Sequence, residues 1–287
     1  MQTVRVKDPY WMPKVDEAVR RMEELSGVIR QKGQIPIMEI REYVLPLIQE
    51  VIERADVYPL LLALRSKNDY LYRHPVAVSI IATLIGKWLE LPENEVNMLT
   101  VGALLHNAGS LRLSESIVEK KGPLDEEEFE QMKRHTVIGY EMLERTVGLS
   151  RRSALIALQH HEREDGTGYP LRLAGSRTDP LSKITAVADV FHALGSDRMY
   201  RPASPFYEVL RQMYNGSLGR LDPRILHAFT QRLMNAMVGC AAELSDGRRG
   251  KIVMLNPVDP TAPLIQLGGT FVDLGKEPEL RLERVIG

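Results

Sequence analysis

Apolar positions recur at three- and four-residue intervals through most of this chain, the pattern of amphipathic helices. Val15, Val19, Met22 and Leu25 follow that spacing, and Val44, Leu47, Ile48 and Val51 repeat it. Pro13 suits a first helical turn, and Gly33 with Pro36 marks a break. The same period continues through His74, Ala77, Val78, Ile81 and Ile85, then through Leu99, Gly102, Ala103 and His106. Asp125 to Glu128 loads carboxylates at a helix start, where the helix dipole favours them. That helix is expected to run through Met132 and His135 towards Leu143. Ser182 to Leu194 reads as a further apolar helix with Asp189 inside it.

The period changes near the end of the chain. Lys251–Leu255, Leu264–Leu267, Thr270–Leu274 and Leu280–Glu283 are short apolar runs bounded by prolines and glycines. Such runs predict short antiparallel strands. The expected class is therefore mainly α. It divides into an N-terminal helical region (1–65), a central helical domain (66–243) and a small β appendage (244–287).

Charge narrows the functional classes. Lys plus Arg number 37 and Asp plus Glu 38, a net charge of -1 that argues against a DNA-binding surface. The single cysteine, Cys240, excludes an intrachain disulfide and fits a reducing compartment. Met1 to Lys14 contains no apolar stretch of signal-peptide type, and no apolar run approaches the ~20 residues a membrane span needs. A cytoplasmic protein is expected.

Chemistry concentrates in the central region. Of seven histidines, His74, His106, His135, His160 and His161 lie on or beside apolar helical faces. One histidine so placed is ordinarily a hydrogen-bonded core residue. Five converging on one core are costly to satisfy that way, whereas a metal accepts neutral imidazole nitrogens. Asp189 lies among mostly apolar neighbours and needs a cation, a metal or several donors. In HHEREDGTGYP, His160 to Pro170, adjacent histidines near a helix end cannot share one helical face. They serve two adjacent metals or bracket one. Gly166 and Gly168 then allow a close turn, and Tyr169 adds an aromatic body with a hydroxyl tip.

In this order, His106-Asn107, His135, HHEREDGTGYP, Asp189 in VADVFHAL and DRMYRP (Asp197 to Pro202) resemble the HD-GYP family. The resemblance runs from about Asp69 to Met234 and implies an HD-type helical bundle. It implies metal-dependent hydrolysis of cyclic di-GMP, or a related cyclic dinucleotide, to the linear dinucleotide or GMP. It further implies a divalent metal, iron or manganese, held by His74, His106, His135, His160, His161 and Asp189. Tyr169 then matches a residue lining the nucleotide pocket, and Arg198 and Arg201 match basic residues near the phosphates. Tyr70 stands where three-metal members carry glutamate, which implies one or two ions.

Three positions depart from the family pattern. Asn107 replaces the aspartate that bridges the metals, Ser110 replaces a lysine facing the scissile phosphate, and His192 replaces a second aspartate. A weakened phosphodiesterase is the expectation. The alternative is a catalytically degenerate module that binds cyclic di-GMP or docks a signalling protein through the GYP loop. A homodimer is an accompanying expectation.

Overall fold

The structure is a computed structural model that describes residues 10–64, 70–196, 206–216 and 219–286. The N-terminal layer comprises α1 (Met12–Lys32), α2 (Ile37–Glu39), α3 (Leu45–Arg54) and α4 (Val57–Ala63). Pro13 lies in the first turn of α1, and Gly33 closes it in the left-handed conformation that glycine adopts without strain. Between α2 and α3 the backbone takes a π-helical turn, Ile40–Val44. Pro46, in the first turn of α3, supplies no N–H there, and Leu45 reaches back to the Ile40 carbonyl instead.

The central helices are α5 (Tyr70–Trp88), α6 (Glu93–Leu105), α7 (Glu115–Val118), α8 (Glu126–Glu144), α9 (Arg151–Gln159), α10 (Pro180–Gly195), α11 (Phe206–Gly216) and α12 (Pro223–Asn235). Their starts follow from local chemistry. Asp125 and Glu128 form a reciprocal capping box on α8. Ser150, Asp179 and Asp222 cap α9, α10 and α12, the last two followed by proline in the first turn. Helices α5, α6, α8, α9 and α10 pack on one another, and α1 and α3 lie against α5.

The C-terminal strands are β1 (Ala241–Leu244), β2 (Arg249–Met254), β3 (Leu264–Leu267), β4 (Thr270–Asp273) and β5 (Leu282–Ile286). They form one antiparallel sheet in the order β4-β3-β2-β1-β5. The strand β1 was not anticipated. Its pattern, with Ala242 and Leu244 inward, is too short to separate from a helix end. The apolar core is continuous from Val15 on α1 to Leu282 on β5, so helices and sheet share one interior. Among the described residues no helix is long and apolar enough to cross a membrane.

Candidate metal centre

Five central helices deliver the predicted ligand residues to one place. His74 lies in the second turn of α5, followed by Pro75 within the helix. His106 ends α6, and the chain turns at once through Asn107 into a 3-10 turn, Ala108–Arg112. That turn presses on α8. A Cβ placed on Gly109 would lie 2.0 Å from the His135 carbonyl oxygen and 2.5 Å from the Gly139 nitrogen. Only glycine permits the approach that brings His106 beside His135. His160 ends α9 with His161 next, and Asp189 and His192 sit about one turn apart on α10.

The residues assemble as two groups. His135, His160 and His161 form one, and His74, His106 and Asp189 the other. Within each, the potential ligand atoms lie within 4.8 Å of one another. The groups touch: the His106 ring is 4.9 Å from that of His160 and 5.3 Å from that of His74. His160 and His161 thus bracket one group rather than dividing between two. All six side chains are buried except His161, which is partly exposed.

Hydrogen-bond partners assign the ring protons. A backbone carbonyl only accepts, so a ring nitrogen bonded to one carries hydrogen. His106 Nδ1 donates to the Ala103 oxygen at 2.7 Å, and His135 Nδ1 to the Met132 oxygen at 2.7 Å. His160 Nδ1 donates to the carbonyls of Ala157 (3.0 Å) and Ile156 (3.1 Å). Each neutral ring therefore presents a bare Nε2 lone pair to the centre. His106 Nε2 is fully buried with no partner among the described residues, and His135 Nε2 faces His160 Nε2 at 3.3 Å. Two facing lone pairs repel, and a buried orphan acceptor is costly. A cation among them resolves both conflicts, so the donor set fits a metal.

His192 completes the assignment. Its Nε2 donates to the Leu64 oxygen at 2.9 Å, which leaves Nδ1 as acceptor for the Nδ1 proton of His74 at 2.9 Å. The His74 Nε2 then points at Asp189 Oδ1, 3.1 Å away. Without a cation that contact requires a second proton on His74; a bound metal takes the proton's place.

Electrostatics agree with neutral donors. Burial, reinforced by His74, pushes the His106 imidazole down to about 4. Burial also lowers His135, and burial with neighbouring histidines holds His160 and His161 well below the usual imidazole range. Burial alone would raise the Asp189 carboxyl, but the His74 hydrogen bond and the surrounding rings outweigh it and hold it well below the ordinary range. These imidazoles stay ready to bind a cation in mildly acidic solution.

The loop after His161 is tightly fixed. A Cβ on Gly168 would fall 2.5 Å from the Arg163 nitrogen and the His161 oxygen. Tyr169 stacks on His161, with ring centroids 4.6 Å apart and planes inclined by 28°. Sequence reasoning passed over Glu162. Its buried carboxylate accepts from the backbone N–H groups of Leu171 (2.7 Å) and Leu173 (2.8 Å), pinning the GYP loop to the helix end. A carboxylate wedged between His161 and a Gly-rich loop was the available signal. It also passed over Phe129 and Lys133, which flank Tyr169.

The departures have visible consequences. Asn107 is half-buried directly after His106, and its carboxamide makes no hydrogen bond among the described residues. Ser110 turns its hydroxyl back onto the Asn107 carbonyl at 2.8 Å and offers no cation. His192, in place of the second aspartate, lies behind His74 and belongs to neither group. Arg198 and Arg201 fall outside the described residues, as does the side chain of Tyr70.

The family's own sequence pattern follows this geometry: the HD-domain model matches residues 59–225. The chain belongs to the HD-GYP branch of the HD-domain family. Cyclic di-GMP phosphodiesterase PA4108 of Pseudomonas aeruginosa is 34% identical over 193 residues, 67% of this chain and 46% of that protein. The cyclic di-GMP phosphodiesterase response regulator RpfG of Xanthomonas campestris is 43% identical over 156 residues, 53% of this chain and 40% of that one. This HD-GYP chain thus spans less than half the length of either relative. A solved HDG"Y"P protein from Bdellovibrio bacteriovorus, Bd1817, shares the fold. It has a TM-score of 0.60 at 17% identity and covers 78% of this chain and 73% of its own.

Proposed function

We propose that this HD-GYP chain is a metal-dependent phosphodiesterase acting on cyclic di-GMP or a related cyclic dinucleotide, with activity limited by Asn107 and Ser110. The observation that supports it is the pair of three-residue groups whose unprotonated ring nitrogens and single carboxylate face a shared buried space. Imidazole with carboxylate suits iron or manganese among divalent ions. His74, His106 and Asp189 would hold one ion, and His135, His160 and His161 a second. When bound, such ions polarise a phosphoryl oxygen and make water a nucleophile at neutral pH.

The protein's own part is positional. Carbonyls of α6, α8 and α9 fix three rings, and His192 fixes a fourth, so the donors are aimed before any ligand arrives. Tyr169 walls the site beside His161, and Glu162 keeps that wall in place. Arg198 and Arg201, by resemblance, would neutralise phosphate oxygens. By resemblance, Ser110 would leave the scissile phosphate without one cationic partner, and Asn107 would offer bound cations a neutral oxygen in place of the family's carboxylate.

The test is metal analysis of protein purified without chelators, combined with a cyclic di-GMP hydrolysis assay in added manganese and iron. Two equivalents of metal with turnover are expected under saturating metal. The departures at Asn107 and Ser110 favour a second reading, a cyclic dinucleotide-binding regulatory module. Tight nucleotide binding without turnover would select it.

A further inference from the structure

The first half of α8 carries an aromatic and cationic surface that the metal centre does not use. Phe129 is 43% exposed, unusual for a phenylalanine on a helix whose start is fixed by a capping box. Its ring meets the Tyr169 ring edge-on at 6.1 Å. Tyr169 in turn stacks on His161, so a continuous aromatic surface leads from a metal-facing ring out to solvent. Lys133, one turn beyond Phe129, sets its ammonium 4.7 Å from the Phe129 centroid and 5.7 Å from that of Tyr169. Glu130 pairs with it at 2.5 Å, but that carboxylate is mostly exposed, so the pairing is weak and readily exchanged.

We propose that Phe129 and Lys133 form the base-recognition wall of the site, with Phe129 stacking a purine and Lys133 donating to its acceptor edge. This rests on the proposed cyclic dinucleotide reading and adds to it a preference for guanine. A dinucleotide with a phosphate at the histidine groups extends a base outward over Tyr169 towards Phe129. Aromatic rings accept any base by stacking, so Phe129 contributes affinity without choice. Lys133 supplies the choice. Guanine presents O6 and N7 as acceptors, whereas adenine presents an amino donor beside N7. An ammonium has only donors and matches the first edge better. The relatives leave this preference open, since they include 3'3'-cGAMP-specific phosphodiesterases of Vibrio cholerae as well as cyclic di-GMP enzymes.

The test is calorimetric titration of the full chain with cyclic di-GMP and with cyclic di-AMP, with metal content measured on each variant as the check on the site. Phe129→Ala should weaken both ligands by about 5- to 150-fold, the size of one lost base–aromatic stack. Phe129→Trp should retain binding. Lys133→Met, which keeps the stem and removes the charge, should weaken cyclic di-GMP about tenfold or more while leaving cyclic di-AMP nearly unchanged. Equal weakening of both ligands by Lys133→Met would overturn the base-edge role and mark a phosphate contact. No weakening by Phe129→Ala would overturn the wall. Phe129-dependent binding without cleavage would leave the wall standing and remove the enzymatic reading. A wild-type chain that binds neither ligand would remove both.

Discussion

The two halves of the histidine centre are built differently. In the half on α8 and α9, His135 and His160 are oriented by carbonyls of their own helices, and His161 leans on Tyr169. In the half on α5, α6 and α10, His106 has such a carbonyl, but His74 is oriented by another side chain, His192. Backbone support survives substitution, whereas side-chain support drifts with sequence. Of the three departures from the family pattern, Asn107 and His192 fall on or beside the second half. That half also holds Asp189, the lone carboxylate of either group. Its negative charge acts on every ring, because it tends to raise His106, His135, His160 and His161 alike.

The largest expected effect follows from that asymmetry. Asp189→Asn removes a ligand atom and the one carboxylate of the two groups, so metal affinity should fall by more than ~100-fold, beyond the usual cost of losing a supporting contact. His161→Ala should cost less, because two imidazoles of its group remain. Competition with a chelator of known affinity measures both. Equal losses would mean that the two halves contribute alike and that the charge argument is misplaced.

Acid should act next most strongly, and on the metal-free protein. His106 titrates near 4 when folded and near 6.5 when free. Between those values the unfolded chain binds more protons, so stability rises with pH and is lost as pH falls from about 6.5 towards 4. His106 alone accounts for a loss on the order of 3 kcal/mol across that window. The other lowered imidazoles, His135, His160 and His161, act in the same direction. Asp189, held low, adds its own loss only below its ordinary range. Chemical denaturation of metal-free protein at pH 7 and pH 4.5 should show the decline, and a flat profile would mean that these rings are not buried as neutral donors.

Asn107→Asp should restore part of what the second half lacks. Asn107 follows His106, whose ring touches both groups, and its carboxamide makes no other bond among the described residues. A carboxylate there should raise the affinity of this half for its metal by ~10–100-fold and give or increase cyclic di-GMP turnover. A folded variant with unchanged metal content and unchanged turnover would move the defect elsewhere in this half.

Much of this was legible in the sequence. Helical spacing placed the helices that carry the ligands, and the paired histidines with their Gly-Tyr-Pro loop marked the centre. Capping at Asp125 was readable because its partner Glu128 lies three residues away. The grouping was not readable, because spacing says which face a residue occupies but not which distant helix it meets. His160 and His161 therefore stayed open between one site and two. For Glu162 the position beside His161 was readable but the role was not, because its partners are the backbone N–H groups of Leu171 and Leu173, which carry no sequence signal. The role of His192 depends on Leu64, far away in the chain and across the core. Strand β1 escaped because four residues hold too little period to tell strand from helix.

The relay through His192 gives the finest test of the comparison. His192 must do two things: hold its own orientation through the Leu64 carbonyl, and accept the Nδ1 proton of His74. Asparagine places its oxygen near the imidazole Nδ1 position, so His192→Asn keeps the acceptor and loses the Leu64 bond. Glutamine places its amide near the Nε2 position, so His192→Gln keeps the Leu64 bond and loses the acceptor. Metal affinity should therefore stay near wild type in His192→Asn and fall about tenfold in His192→Gln, the lower end of what a supporting contact to a ligand is worth. Thermal stability orders the pair the other way, because only His192→Asn leaves the buried Leu64 carbonyl without its donor. Measuring both quantities on both variants separates orientation of His74 from simple packing. If the two substitutions lower metal affinity equally, His192 fills space behind His74 and does not set its tautomer, and His74 is then held by packing alone.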